Sequence, residues 1–167
     1  MSWELNTYAQ QPKPSEYEVK AAFLYNFTKF VEWPTEATTD SGATFNLCVL
    51  GEDPFGKAFE SIQGEKIINK KLVINRFKEL HDIEKCRILF ISESEEERLT
   101  QILKSLKGLH ILTVSDSEGF AQQGVIINFY LEQNKVRFEI NVDAARRSGL
   151  KISSKLLNLA RIVYDLP

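Results

Sequence analysis

The chain has 167 residues, a length that suits a single domain with a substantial buried core. Its net charge is −2, with 43% hydrophobic and 26% charged residues, which excludes a strongly basic or a disordered protein. No stretch approaches the ~20 consecutive apolar residues of a transmembrane helix, and no basic stripe is present, so we expect neither membrane insertion nor nucleic-acid binding.

The N-terminal part of the chain predicts an arm followed by one long helix. Residues 1–14 contain two prolines and predict a mobile N-terminal arm ahead of a single domain, residues 15–167. They show neither the basic nor the apolar region of a signal peptide, which leaves a cytoplasmic and a mature secreted protein open. Ser15 and Glu18 have the spacing of a capping box, and Pro34 should end the helix that they begin.

Short apolar runs separated by helical patterns predict the strands of a mainly parallel sheet. They cover residues 45–50, 72–77, 87–92 and 110–114. Helices should follow the first, third and fourth strands, with Asp53, Ser94 and Ser115 as their N-terminal caps. Alternating strands and helices are typical of an α/β fold with helices on both faces of the sheet.

The C-terminal part of the chain predicts a different arrangement. Residues 125–131 and 135–140 are apolar runs separated by only three residues, too few for a crossover helix, so they predict an antiparallel hairpin. Asn141 should cap the next helix, and Ser153 or Ser154 should cap the last one. The apolar face of that last helix would comprise Leu156, Leu159, Ala160 and Val163.

The sequence offers few groups from which to build a catalytic site. It has only two histidines, no glycine-rich phosphate-binding loop and no zinc-ligand spacing. Polar residues do follow the predicted strands, and doubly wound sheets bind ligands at the carboxyl ends of their strands. A ligand pocket at these ends would comprise Glu52, Asp53, Ser92 and Ser115.

Two further interpretations start from the carboxylates at the strand ends. One is an enzyme or phospho-acceptor that binds Mg²⁺ through Glu52, Asp53 and Asp116. The other is a degenerate receiver-like domain, although Ser92 and Glu93 stand where a receiver carries its phospho-acceptor aspartate. Because helix capping already accounts for the polar residues, we predict a protein that is not an enzyme and needs neither cofactor nor metal ion.

Five residues are candidates for contacts with another protein. Tyr25 and Trp33 fall outside the apolar stripe of the first helix, and exposed aromatic side chains suit protein interfaces. Arg146, Arg147 and Lys151 form a local basic patch on a slightly acidic chain, which would steer an acidic partner. Core packing for the aromatic residues, and plain solvation for the basic ones, are the alternatives.

The two cysteines, Cys48 and Cys86, allow two interpretations by themselves. Free cysteine is among the most buried residue types, so two buried thiols are one of them. A single disulfide is the other, and the cysteine count does not decide between the two.

Several segments of the chain, taken in their order and spacing, resemble the YfiR-like family. They are residues 17–27, 30–34, 47–51, 53–56, 86–92, 112–116, 120–121, 138–141, 152–157 and 159–161. Together they extend over nearly the whole domain, from about residue 17 to residue 162.

The resemblance implies a cellular role. Members of the family are periplasmic, are made with a signal peptide and are not known for catalysis. The named member represses a membrane-bound diguanylate cyclase, and an outer-membrane lipoprotein relieves this repression by sequestering it. We therefore expect a homodimeric regulator of cyclic-di-GMP signalling that binds such protein partners. A periplasmic domain that senses a small ligand is the alternative.

A periplasmic location changes the expectation for the cysteines, because that compartment is oxidising. If the sheet has the strand order 2-1-3, the strands that carry Cys48 and Cys86 are neighbours about 4.8 Å apart. Disulfides join Cα atoms roughly 4.4–6.8 Å apart. Together with the resemblance, this favours a Cys48–Cys86 disulfide.

Overall fold

A mixed sheet forms the centre of the structure, a computed structural model that describes residues 15–35 and 42–166. The predicted mobile arm, residues 1–14, lies outside the described residues. The strands of this sheet are β2 (Thr44–Leu50), β3 (Lys66–Ile67), β4 (Lys70–Phe77), β5 (Cys86–Ile91), β6 (Leu112–Ser115), β7 (Ile127–Glu132), β8 (Lys135–Asn141) and β10 (Arg161–Val163). Two short strands, β1 (Val31–Glu32) and β9 (Lys151–Ile152), pair with each other in a separate antiparallel sheet.

The order of the eight strands is β10-β8-β7-β6-β5-β2-β4-β3. The pairs β7–β8 and β3–β4 are antiparallel, and the other neighbours are parallel. The mainly parallel sheet, its C-terminal hairpin and the central order β4-β2-β5 confirm the predictions. The hairpin is not at the edge of the sheet, because β10 pairs with its second strand.

Helices cover both faces of the sheet, as predicted. They are α1 (Glu16–Phe27), α2 (Leu99–Ser105), α3 (Phe120–Gln123), α4 (Val142–Arg147) and α5 (Ser154–Leu157), with 3₁₀ turns at Gly56–Ser61, Ile83–Lys85 and Glu93–Arg98. One face packs on α1, α4 and α5, and the opposite face packs on α2 and α3. Successive residues of β2 alternate between these two cores, because strand side chains point to opposite faces. In the described ranges, no helix is long and apolar enough to cross a membrane.

The first helix is shorter than its sequence predicts. It begins with the predicted cap, since the Glu18 N–H donates to Ser15 Oγ. It ends at Phe27 rather than near Pro34, and the next residues turn into β1. The Thr28 hydroxyl donates to the Tyr25 carbonyl at 2.6 Å, and the Phe30 carbonyl accepts the Ser153 N–H at 2.8 Å. Pairing with the C-terminal part of the chain therefore competes successfully with helix extension.

Of the helix caps predicted after the first helix, two are wrong and two are confirmed. Asn141 and Ser153 accept backbone N–H groups at the starts of α4 and α5. Ser94 does not cap its helical segment, because Ser92 Oγ accepts the Ser94 N–H instead. Ser115 is a buried residue of β6 whose hydroxyl donates to the Ile91 carbonyl at 2.6 Å. The segment that follows Asp53 is a 3₁₀ turn, and Asp53 Oδ1 accepts the Phe55 N–H there.

The predicted last helix is the largest departure in secondary structure. α5 has only four residues, and the chain then forms the edge strand β10 beside β8. Leu159, which was expected on the buried helical face, is 72% exposed. Pairing of Arg161, Ile162 and Val163 with β8 replaces the continued helix.

A disulfide joins Cys48 of β2 to Cys86 of β5, as predicted. The two Cα atoms are 5.9 Å apart, and each cysteine is only 1% exposed. The bridge closes a loop with a sequence separation of 38 residues, and β4 lies within that loop. It therefore fixes the two strands at the centre of the sheet to each other.

Candidate functional site

The residues of the predicted ligand pocket lie at the ends of β2, β5 and β6, but most of their polar atoms make internal bonds. The Asp53 carboxylate forms a 2.7 Å ion pair with Arg76. The Ser92 and Ser115 hydroxyls make the capping and strand contacts described above. The Glu52 backbone N–H donates to Ser94 Oγ, and Glu52 is exposed to solvent. These internal bonds give the polar residues at the strand ends a structural role, and their role in ligand binding stays a prediction.

Asp116, the carboxylate after β6, belongs to a partly buried polar cluster that we call the Lys20 cluster: Glu16, Tyr17, Lys20 and Asp116. Lys20 Nζ lies 2.9 Å from Asp116 Oδ2 and 2.5 Å from Glu16 Oε2. The Tyr17 hydroxyl donates to the same Asp116 oxygen at 2.8 Å. The Lys20 and Asp116 side chains are 4% and 9% exposed. Burial, and then the hydrogen bond to Asp116, raises the pKa of Tyr17 above its ordinary value.

The Lys20 cluster bears on the proposed Mg²⁺ site. Lys20 neutralises Asp116, and Arg76 neutralises Asp53, so each carboxylate already has a cationic partner. Within the part of the chain that the structure describes, no group of three or more His, Cys, Asp or Glu residues could hold a metal ion. The geometry therefore gives the enzyme or phospho-acceptor interpretation no support.

Tyr25 and Trp33, the aromatic residues predicted to bind a partner, are both half-buried. Trp33 Nε1 donates to the Arg87 carbonyl at 3.2 Å, and its ring packs edge-on against Phe45. The Tyr25 hydroxyl donates to the Lys66 carbonyl at 3.3 Å. These contacts attach the last turn of α1 and the segment after it to the sheet, while a role in partner binding stays a prediction.

The predicted basic patch is divided between two surfaces. Arg146 is 80% exposed, with its guanidinium 3.9 Å from Asp143, and it borders an apolar pocket of about 200 Å³. The other residues that line this pocket are Val142, Ala145, Leu150, Ile152 and Leu157. Exposed Lys151 lies between two of these residues in the sequence. We call Arg146, Lys151 and this pocket the α4–β9 surface.

Arg147, the third basic residue of the predicted patch, contacts a different surface. It forms an ion pair with Asp165, and its hydrogen bond lowers the pKa of that carboxyl group. It also lines a groove of about 580 Å³ between α2 and α4, beside the amino end of β6. This groove therefore lies at the other end of β6 from the predicted ligand pocket.

The edge strand β10 carries an exposed apolar surface that the sequence did not indicate. The exposed residues of this edge surface are Leu159, Ile162, Tyr164 and Leu166. Buried Glu139 of β8 holds the strand through Arg161, whose Nε lies 3.0 Å from Glu139 Oε2. Asn141 donates to Asp165 at 2.9 Å just beyond β10. The apolar edge is thus presented on a strand that internal polar bonds keep in place.

The protein is thus a disulfide-linked α/β domain in which Asp53 and Asp116, the carboxylates at the strand ends, are ion-paired, with apolar and basic residues on its outer surfaces. The YfiR/HmsC-like family model matches residues 17–161. The chain belongs to this family, which confirms the resemblance found in the sequence.

Solved structures support the fold. A conserved domain protein from Vibrio cholerae O1 biovar El Tor matches with a TM-score of 0.55 and 13% identity, over 89% of this chain and 60% of that one. An ABC domain from Streptococcus pneumonia, solved in complex with L-Trp, matches with a TM-score of 0.52 and 9% identity, over 72% of this chain and 55% of that one. The chain thus spans a little over half the length of each solved chain, and at these identities the likeness concerns the fold alone.

Proposed function

We propose that the protein is a periplasmic regulator that acts without catalysis, by binding and repressing a membrane-bound signalling enzyme such as a diguanylate cyclase. The observation that carries this proposal is the family match over residues 17–161. The buried Cys48–Cys86 disulfide suits an oxidising compartment. An outer-membrane lipoprotein that sequesters the regulator would be its second partner.

The α4–β9 surface is our proposed contact region for the membrane enzyme. It combines exposed cations with an apolar pocket, and interfaces draw their affinity from buried apolar anchors and their association rate from complementary charge. A partner segment with an apolar side chain flanked by carboxylates fits this combination.

Complementation in the native host tests the proposal through the level of cyclic-di-GMP. Deleting the gene should raise this level, and wild-type protein directed to the periplasm should restore it. An Arg146→Glu/Lys151→Glu variant should restore it several-fold less well, because reversed charges repel an acidic partner. The measurement is cyclic-di-GMP extracted from cells that contain equal amounts of each protein.

A Lys57→Glu/Lys85→Glu variant is the matched control, because both lysines are exposed and lie outside the α4–β9 surface. It should restore the cyclic-di-GMP level as the wild type does. An unchanged level after deletion would contradict repression of a cyclase. Full restoration by the Arg146→Glu/Lys151→Glu variant would instead contradict only our placement of the contact.

We also propose that the protein is a homodimer formed through the edge surface of β10. An antiparallel pairing of two β10 strands about Val163 would place Arg161 opposite the partner's Asp165, and Ile162 opposite the partner's Tyr164. The apolar side chains would then meet in one register, while Arg161 and Asp165 keep their ion pairs with Glu139 and Arg147. Unpaired strand edges are known sites of such association.

Sedimentation of an Ile162→Lys variant tests this dimer. The wild type should sediment as a dimer at micromolar concentration, and the variant as a monomer, since a lysine on a strand edge opposes edge-to-edge pairing. Ile68→Lys is the control, because Ile68 is 91% exposed and adjoins β3 at the opposite edge of the sheet. If the Ile162→Lys variant stays dimeric, the β10 edge is not the dimer interface.

A further inference from the structure

We infer that the groove between α2 and α4 is a binding site for a small organic anion with an apolar body. This site goes beyond the proposed function, because ligand binding there requires neither a cyclase nor a dimer.

The size and floor of the groove suit a small molecule. Its volume of about 580 Å³ lies within the range of roughly 300–1,000 Å³ that is usual for small-molecule sites. Leu103, Leu106 and Ile111 supply an apolar floor. The hydroxyl of Thr113, which also lines the groove, already accepts the Ile126 N–H at 2.9 Å. The floor therefore favours an apolar ligand body.

Gly124 keeps one wall of the groove thin. Its φ of +123° is a backbone conformation that other residues rarely adopt. A Cβ atom at this position would lie 3.3 Å from a methyl group of Leu103 and 3.8 Å from the Arg147 guanidinium. Without a side chain at residue 124, the apolar floor and the cationic rim stay accessible together.

The charge of the groove selects an anion. Lys104, Lys107 and Arg147 line it, and no Asp or Glu is among the described lining residues. The ion pair with Asp165 holds the Arg147 guanidinium at the rim, whereas the two lysines are exposed. A neutral apolar molecule would form no ion pair with these cations, and a purely polar anion would make no apolar contact with the leucine floor. An amphiphilic anion satisfies both.

The position of the groove gives such a ligand a route to regulation. α4 borders the groove through Arg147 and the α4–β9 surface through Arg146. An anion that binds Arg147 competes with Asp165 for its guanidinium. Ligand binding would thereby act on the helix that carries the proposed partner contact.

Titration with 2-naphthoate and with decanoate tests the site in the full-length protein. At least one of these anions should bind saturably, with one molecule per chain. The corresponding neutral alcohols, 2-naphthalenemethanol and decanol, should bind at least about fivefold more weakly because they lack the charge. Amide chemical-shift changes in an NMR titration should cluster on α2, α4 and residues 106–111.

Lys104→Gln/Lys107→Gln should weaken anion binding by about fivefold or more, the scale expected for two exposed ion contacts. Binding of the neutral alcohol should change little in this variant. Lys57→Gln/Lys85→Gln, a matched pair of exposed lysines outside the groove, should bind as the wild type does. The inference is overturned if neither anion binds, if both lysine pairs have equal effects, or if the shift changes cluster on the edge surface of β10. None of these outcomes depends on cyclic-di-GMP, so they are distinct from a failure of the proposed function.

Discussion

Replacing both cysteines, in a Cys48→Ala/Cys86→Ala variant, should lower the free energy of unfolding by about 4 kcal/mol. The physical reason is the loop that the disulfide closes, with a sequence separation of 38 residues. In the chain-entropy model, a bridge across a loop of this length restricts the unfolded chain by about that amount. Urea unfolding followed by circular dichroism measures the loss, and the dependence on urea should steepen because the unfolded chain becomes more expanded.

Reduction of the wild-type protein is the control for this prediction. Reduced wild type and the double alanine variant both lack the bridge, so the difference between them isolates the cost of removing two buried sulfur atoms. Thiol titration of the unfolded, unreduced protein should find no free thiol. Two free thiols per chain, or equal unfolding midpoints for the oxidised and reduced wild type, would contradict the prediction.

The centre of the sheet could be predicted because its signals are local and strong. Continuous apolar runs are typical of parallel strands buried on both faces, and the short link between β7 and β8 permits only a hairpin. The region after α5 carries a weaker signal. The spacing of Leu156, Leu159 and Val163 is compatible with a helix, but pairing with β8 decides the structure there. Such a long-range contact leaves no periodic signature in the sequence.

The candidate sites also differ in how far the sequence could predict them. Arg146 and Arg147 are neighbours in the chain, but successive helical residues point about 100° apart, so the two guanidinium groups reach different surfaces. The Lys20 cluster is harder to predict, because Asp116 is 96 residues away from Lys20 in the sequence. The Glu16–Lys20 spacing indicates a pair on one helix face, but an exposed pair would have the same spacing.

Lys20→Met should lower the free energy of unfolding by about 3 kcal/mol at neutral pH, because the substitution leaves the buried Asp116 carboxylate without its cation. Lys20→Met/Asp116→Asn should recover most of this loss, since the uncompensated charge is then gone as well. Urea unfolding of the wild type, both single variants and the double variant completes a double-mutant cycle. The double variant should lose much less unfolding free energy than the two single variants lose together.

Glu16→Gln tests whether the loss of unfolding free energy in Lys20→Met comes from the burial of Asp116 or from the loss of any ion pair with Lys20. Glu16 contacts the same Lys20 ammonium at 2.5 Å, but its side chain is 38% exposed. Water can solvate an exposed charge when its partner is lost, so this substitution should cost less than about 1 kcal/mol. If Glu16→Gln costs as much as Lys20→Met, burial of Asp116 is not the cause of the loss. If the double variant is as unstable as the sum of the two single variants, Lys20 stabilises the fold through its packing against Tyr17 and not through the charge of Asp116.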